Sequence, residues 1–377
     1  MEHALQQLAA LGQRVWLDDL RRQWLIDGTI VRLIEGDAVT GMTSNPSIFE
    51  KAITGQRDYD DAVTRLLRAA VPAPQICEQL VIEDIRAAAD LLLPVHRSRG
   101  GDDGFVSLEI SPHLADDAAA SVAEGQRLWK LVDRPNLMIK VPATPAGLGV
   151  IRALTAAGIN VNVTLLFGVA DYRAVAEAYW SGLESRQRHT SAPLGSIRSV
   201  ASFFVSRIDT LVDAKLDAVG LPAATALRGT TAIACARLAY QEYLRGLKTQ
   251  RWMQLAARGA QPQRLLWASV STKDRAYRDL KYVEPLIAPD TIVTMPIATL
   301  AAFRDHGRPS VGIDDDLENA RAVGSRLSPL GIRLDDLARE LLTDGVRRFV
   351  ASHDRLLAAL ARYAMDITKG GLTRGHP

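Results

Sequence analysis

The chain has 377 residues, with 45 Lys and Arg against 43 Asp and Glu, a formal net charge of +2 and 47% hydrophobic residues. This near balance excludes a surface built for nucleic acid, while leaving room for a local basic pocket. Two distant cysteines, Cys77 and Cys235, exclude a disulfide-built domain. The seven histidines show no HExxH or HxH spacing, so no metal site is expected. The first residues lack the charged and apolar regions of a signal peptide, and no apolar run reaches about 18 residues. Neither membrane contact nor secretion is expected, and a cytoplasmic location follows by default.

Taken in chain order, eight short β-like runs recur. They are Val15–Asp18, Ala38–Thr43, Phe105–Ile110, Leu137–Val141, Asn160–Leu166, Val200–Val205, Leu265–Val270 and Thr291–Met295. Between them lie Ala- and Leu-rich amphipathic stretches, among them His113–Val132, Ala170–Glu184 and Ala223–Leu247. Strands alternating with helices predict parallel sheet. Eight such units predict a closed (β/α)8 barrel of the TIM type, with an open doubly wound sheet as the alternative. Residues 44–100 predict about three additional helices after the second strand, and residues 313–366 predict further helices at the C-terminus. Both sets are expected on the barrel's exterior or rim. No Pro/Gly/Ser-rich linker divides the chain, so residues 1–368 are read as a single domain and 369–377 as a flexible tail. Ser185–Arg198 is expected to be an exposed excursion.

Only 8 of the 45 cationic side chains are Lys. One of these, Lys140, sits in the middle of the apolar run Asn136–Ala143. Where a chain otherwise uses Arg for charge, a Lys in a buried strand points to chemistry that needs a deprotonatable amine. The plainer reading is a strand-end Lys reaching solvent. Other strand ends carry polar residues where a barrel interior favours Val, Ile and Leu. Asp18 and Asp19 end the first strand, and Asn45 follows the second. Glu109 lies in the third, and Asn162 and Thr164 share a face of the fifth. Ser202 and then Arg207 follow in the sixth, and Ser269, Ser271 and Lys273 in the seventh.

Each residue has a plainer alternative. Glu109 could be only an ion-pair partner of Lys140. Asp18 has a rival in Asp19, and either could be a helix cap. Asn45 before Pro46 suits a turn. Asn162 and Thr164 fit ordinary strand propensity, and Arg207 fits a surface helix. Gly147-Leu-Gly149 lacks the third glycine of a dinucleotide fingerprint and reads as a loop-to-helix junction. Gly229–Ala234 reads as helix packing.

Together the set suits imine catalysis. A neutral Lys amine adds to a ketone, and loss of water gives an iminium that accepts the electrons of a breaking C–C bond. Loss of water needs a proton donor, for which Glu109 and Thr164 are candidates, and cleavage needs a base on the β-hydroxyl, for which Asp18 is available. Arg207 suits a phosphate.

Five ordered segments carry a family resemblance. They are Gly41-Met-Thr-Ser-Asn-Pro-Ser-Ile-Phe-Glu50, Val106-Ser-Leu-Glu-Ile-Ser111, Asn136-Leu-Met-Ile-Lys-Val-Pro-Ala143, Gly158-Ile-Asn-Val-Asn-Val-Thr-Leu-Leu-Phe167 and Ala201-Ser-Phe-Phe-Val-Ser-Arg-Ile-Asp209. From about Gly12 to about Pro296 the chain resembles the transaldolases, and its C-terminal helices look like those of the longer bacterial members. The resemblance implies that Lys140 forms a Schiff base with the dihydroxyacetone unit of a ketose phosphate. It implies that Glu109 and Thr164 position the water of dehydration and hydrolysis, and that Asp18 is the acid/base at the cleaved carbon's hydroxyl. Asn45, Asn162 and Ser202 would hold the hydroxyls of the dihydroxyacetone unit, and Arg207 and Ser269 the phosphate.

One departure stands out: many transaldolases place an Arg two residues after the serine matching Ser269, where this chain has Ser271. Lys273 is the expected substitute charge. The implied partners are phosphorylated sugars, the implied cofactor is none, and the chain is expected to be a monomer or homodimer. The rival readings are a lyase like the fructose 6-phosphate aldolases, which tend to carry an amide where this chain has Glu109, and a non-catalytic phosphosugar-binding barrel. A fusion to a sugar-phosphate isomerase is not expected at this length.

Overall fold

The computed structural model describes residues 3–368. The expected tail, 369–377, lies outside the described residues. Eight parallel strands close into a barrel in sequential order. They are β1 (Gln13–Leu17), β2 (Val39–Thr43), β3 (Val106–Glu109), β4 (Leu137–Pro142), β5 (Val161–Leu166), β6 (Ser199–Phe204), β7 (Gln263–Ala268) and β8 (Thr291–Met295). Closure is direct: β1 pairs with β8 over its whole length, Gln13 opposite Thr291 to Leu17 opposite Met295. The open-sheet alternative is thereby removed. The strands read as near-continuous apolar runs because both faces are buried, one by the helices and one by the barrel interior. Every residue of β4, β5, β6 and β7 is buried.

Packing explains one residue of the quoted motifs. Gly41 lies in β2, and a Cβ there would come within 2.5 Å of the Trp16 indole. The glycine is a close-approach position.

The three helices expected after β2 are Pro46–Gly55, Asp60–Arg68 and Ala73–Ser98, and the C-terminal helices are Leu317–Leu327 and Leu334–Thr368. Three expectations shift. Ser185–Arg198 is not an excursion throughout: the preceding helix runs Val169–His189, and Leu194, Ile197 and Arg198 are buried. Arg198 bonds the Gly195 carbonyl at 2.6 Å and pairs with Asp102 at 3.3 Å. Ala223–Leu247 is broken into Pro222–Thr225 and Thr231–Leu247. Gly229, at φ +68°, makes the break, and two acidic side chains satisfy the exposed amides: Asp213 accepts from Gly229 N at 2.8 Å and Asp209 from Ala232 N at 2.7 Å. The stretch from His113 begins in a 3-10 turn, Pro112–Leu114, and becomes α-helical only at Ala118, where Asp117 accepts from Ala120 N at 2.9 Å as the N-cap. Gly147–Gly149 does open a helix, Pro145–Ala156, capped by Thr144.

A second polar cluster lies at the opposite, N-terminal end of the barrel. Asp103 accepts from the Trp16 indole at 2.9 Å, and Arg14 lies 3.7 Å from it. Polar residues at that face of a barrel serve stability.

Candidate active site

The strand register sets the site before any side chain is considered. Glu109 pairs with Lys140, Lys140 with Asn162, and Pro142 with Thr164. Neighbouring strands thus bring three polar residues from distant parts of the chain to one level. A hydrogen-bond chain shows that this level faces the barrel interior. Asn162 Nδ2 donates to Ser107 Oγ at 2.9 Å, and Ser202 Oγ donates to Asn162 Oδ1 at 2.7 Å. β3 and β5 are separated by β4, so a bond between them crosses the lumen. Ser107 was not singled out in the sequence; only its place two residues before Glu109 on the same face could have indicated it.

Lys140 is 3% exposed. Its Nζ donates to the Ser44 carbonyl at 3.0 Å and lies 3.3 Å from Glu109 Oε1. The reading of Lys140 as a lysine reaching solvent is excluded by this burial. Ser44 in turn donates its hydroxyl to the Ser107 carbonyl at 2.7 Å, which fixes the loop after β2 under the amine. Burial pushes the Glu109 carboxyl above its ordinary range, opposed by the Lys140 charge and reinforced by Asp18. Neither Glu109 oxygen has an aligned hydrogen-bond donor among the described residues, and neither does the buried Thr164 hydroxyl.

A cavity of about 360 Å³ opens above Lys140. Asp18, Thr43, Asn45, Ser202 and Phe204 line it together with the lysine. Asp18 is held by the Thr43 hydroxyl, which donates to it at 2.8 Å. Its rival Asp19 also lines the cavity, but its carboxylate accepts from the Leu20 amide at 2.9 Å, and burial raises its pKa. Asn45 plays the plainer part with its oxygen, which caps the Pro46–Gly55 helix by accepting from Ile48 N at 3.0 Å. Its Nδ2 is not used by that cap. Asn162, Glu109 and Thr164 do not line this cavity; Glu109 lies 3.3 Å from the lysine, Asn162 is its register partner on β5, and Thr164 follows two residues on.

The cavity also carries cations. Arg207, in the first turn of the Ser206–Val219 helix, and Lys273 line it, and so do Arg21 and Lys51, which the sequence did not single out. Arg207 stacks over Phe204 at 5.0 Å, and its Nη1 is buried without a partner among the described residues. Burial lowers the pKa of both Arg207 and Lys273, and each cation feels a neighbouring one: Arg348 beside Arg207, and Arg207 beside Lys273. Ser269 holds a left-handed backbone, φ +54°, and shares a hydrogen bond with Ser206 at 3.1 Å. Lys273 donates to Ser271 at 2.9 Å, which places the expected substitute charge beside that serine. A cluster of cations around a small polar cavity suits a phosphate.

A buried lysine amine beside a carboxylate at a barrel mouth, facing a cationic cavity, is the arrangement of the imine-forming aldol enzymes that act on sugar phosphates. The family model described as transaldolase/fructose-6-phosphate aldolase matches residues 15–360. The transaldolase of Thiobacillus denitrificans is 48% identical over 94% of this chain and 98% of its own length. That of Frankia alni is 46% identical over 96% and 98%. Transaldolase 2 of Streptomyces avermitilis is 45% identical over 95% and 96%. The chain belongs to the transaldolase/fructose-6-phosphate aldolase family. No helix among the described residues is long and apolar enough to cross a membrane.

Proposed function

We propose that this chain is a transaldolase of the non-oxidative pentose phosphate pathway. It moves a dihydroxyacetone unit from sedoheptulose 7-phosphate or fructose 6-phosphate to glyceraldehyde 3-phosphate or erythrose 4-phosphate. The observation that carries the reading is Lys140, buried, 3.3 Å from Glu109, and facing the cavity that Asp18 and the cations share.

Lys140 attacks the ketone carbon. Its proton passes toward Glu109, whose raised pKa suits it to hold one and then deliver it to the leaving hydroxyl. Glu109 and Thr164, with hydrogen-bonding capacity unused by the protein, hold the water released and later consumed. Asp18, oriented by Thr43, takes the proton of the β-hydroxyl as the C–C bond breaks. Asn45, Asn162 and Ser202 hold the hydroxyls of the bound unit. Arg207, Ser269 and Lys273 anchor the phosphate.

Borohydride added with fructose 6-phosphate should reduce the imine and add the mass of a reduced dihydroxyacetone unit to the peptide containing Lys140. Label on Lys130 or Lys273 instead would defeat the assignment. The phosphate anchor has its own test. Arg207→Ala should lower kcat/KM for fructose 6-phosphate by about 10- to 100-fold, the scale of a lost charge-assisted contact. Lys273→Ala should act in the same direction with a smaller loss. An equal loss toward free dihydroxyacetone would remove the phosphate role. The lyase alternative is disfavoured by a carboxylate at Glu109 and by the names of the relatives, which are transaldolases.

A further inference from the structure

We propose that Phe349, on the C-terminal helix Leu334–Thr368, is a specificity-determining wall of the substrate cavity. It keeps bulk water from the enamine carbon left on Lys140 and so favours transfer to an aldehyde over release of free dihydroxyacetone. The inference rests on the transaldolase reading.

The helix presents one buried stripe: Ala338, Leu341, Gly345, Phe349, Ser352, Leu356 and Leu360. The spacing of three and four keeps these on one face. That face presses on the end of β5. A Cβ at Gly345 would come within 2.8 Å of the Leu165 side chain, and one at Gly168 within 3.1 Å of Ala338. Farther along, three polar ties fix the helix to the loops after β2 and β3. Ser352 bonds Ser47 at 2.8 Å, Arg355 grips Glu50 with two bonds of 2.5 and 2.9 Å, and His113 meets Asp354 at 2.7 Å. Ser47 and Glu50 belong to the Pro46–Gly55 helix, whose cap Asn45 lines the cavity. The C-terminal helix therefore lies across the rim from β5 to the β2 loop, and Phe349 falls between its two sets of anchors.

Phe349 is 5% exposed yet lines the cavity, so its ring faces inward. Among the described residues lining that cavity, it is the single one from beyond Pro296. The rest of the wall is largely polar or charged and would hold water well.

The competing reaction shows what such a wall does. A proton from solvent adds to the enamine carbon and regenerates the iminium. One water then adds to the iminium carbon, the C–N bond breaks, and dihydroxyacetone leaves with the amine restored. The first step needs a solvent proton at the enamine carbon, and an aromatic wall on the cavity side keeps bulk water from it; the water that Glu109 and Thr164 hold serves only the second step. Truncating the ring leaves space for about three waters.

The test uses the full chain with Phe349→Ala and the milder Phe349→Leu. With fructose 6-phosphate, free dihydroxyacetone is measured without acceptor and sedoheptulose 7-phosphate is measured with erythrose 4-phosphate. The release-to-transfer ratio should rise by about tenfold in Phe349→Ala and less in Phe349→Leu, with Lys140 still labelled by borohydride. A merely structural role would lower both products together. An unchanged ratio in a folded variant overturns the proposal, and Phe349→Leu carries the test if the alanine variant does not fold. Absence of the borohydride label in the unsubstituted protein would overturn the transaldolase reading first and this inference with it.

Discussion

Lys140→Arg is expected to abolish turnover while leaving the barrel folded. The guanidinium stays protonated at any working pH, so it has no lone pair with which to attack a ketone. Loss of a covalent nucleophile costs about 10⁴-fold or more in kcat. Arginine places a cation beside Glu109, which lies 3.3 Å from the native amine, so the carboxylate is not left buried and unpaired. Alanine would leave it so, at a cost of about 3–5 kcal/mol. The pair of variants therefore separates chemistry from stability. Thermal melts should place the arginine variant near the unsubstituted protein and the alanine variant below it. Retained turnover in Lys140→Arg would end the imine mechanism.

Glu109→Gln carries the second-largest expected effect. The amide keeps the shape beside Lys140, but it cannot take up and return a proton. Removal of a general acid/base lowers kcat by about 10²- to 10³-fold. The pH dependence carries the finer signature. Burial raises the Glu109 pKa, so its carboxyl stays protonated above the ordinary carboxylate range. Proton delivery to the carbinolamine is available below that raised pKa and is lost as pH rises through it. The limb of the kcat profile that falls with rising pH should therefore flatten in Glu109→Gln. A near-native kcat with an unaltered profile would reduce Glu109 to an ion-pair partner.

These two residues differ in how far the sequence could define them. Lys140 stands out in the chain itself, as a rare lysine inside an apolar strand, and its role follows from amine chemistry. Glu109 is visible as a carboxylate in a strand, but its raised pKa depends on burial and on what surrounds it, and no local pattern encodes either. Asn45 shows the opposite case: its local reading as a cap holds, and the cavity adds a second use for the same side chain. Arg21 and Lys51 could not be picked out because a cation in a loop or on a helix surface is ordinary in a chain with 45 of them. Only their convergence on one cavity distinguishes them. Likewise, the helix break at Gly229 was hidden because its stabilising groups, Asp209 and Asp213, lie on another helix.

The sequence by itself determined the alternation of strands and helices, the eight-unit count and the polar residues at the strand ends. Those signals are local, set by side-chain periodicity and by the cost of placing polar groups in apolar runs. The tertiary structure alone decided the strand register around Lys140, the convergence of Arg21 and Lys51 on the cavity and the placing of Phe349 over it. Each of these joins residues tens to hundreds of positions apart. Such contacts depend on strand register and helix packing, which act through space and leave no periodic trace along the chain.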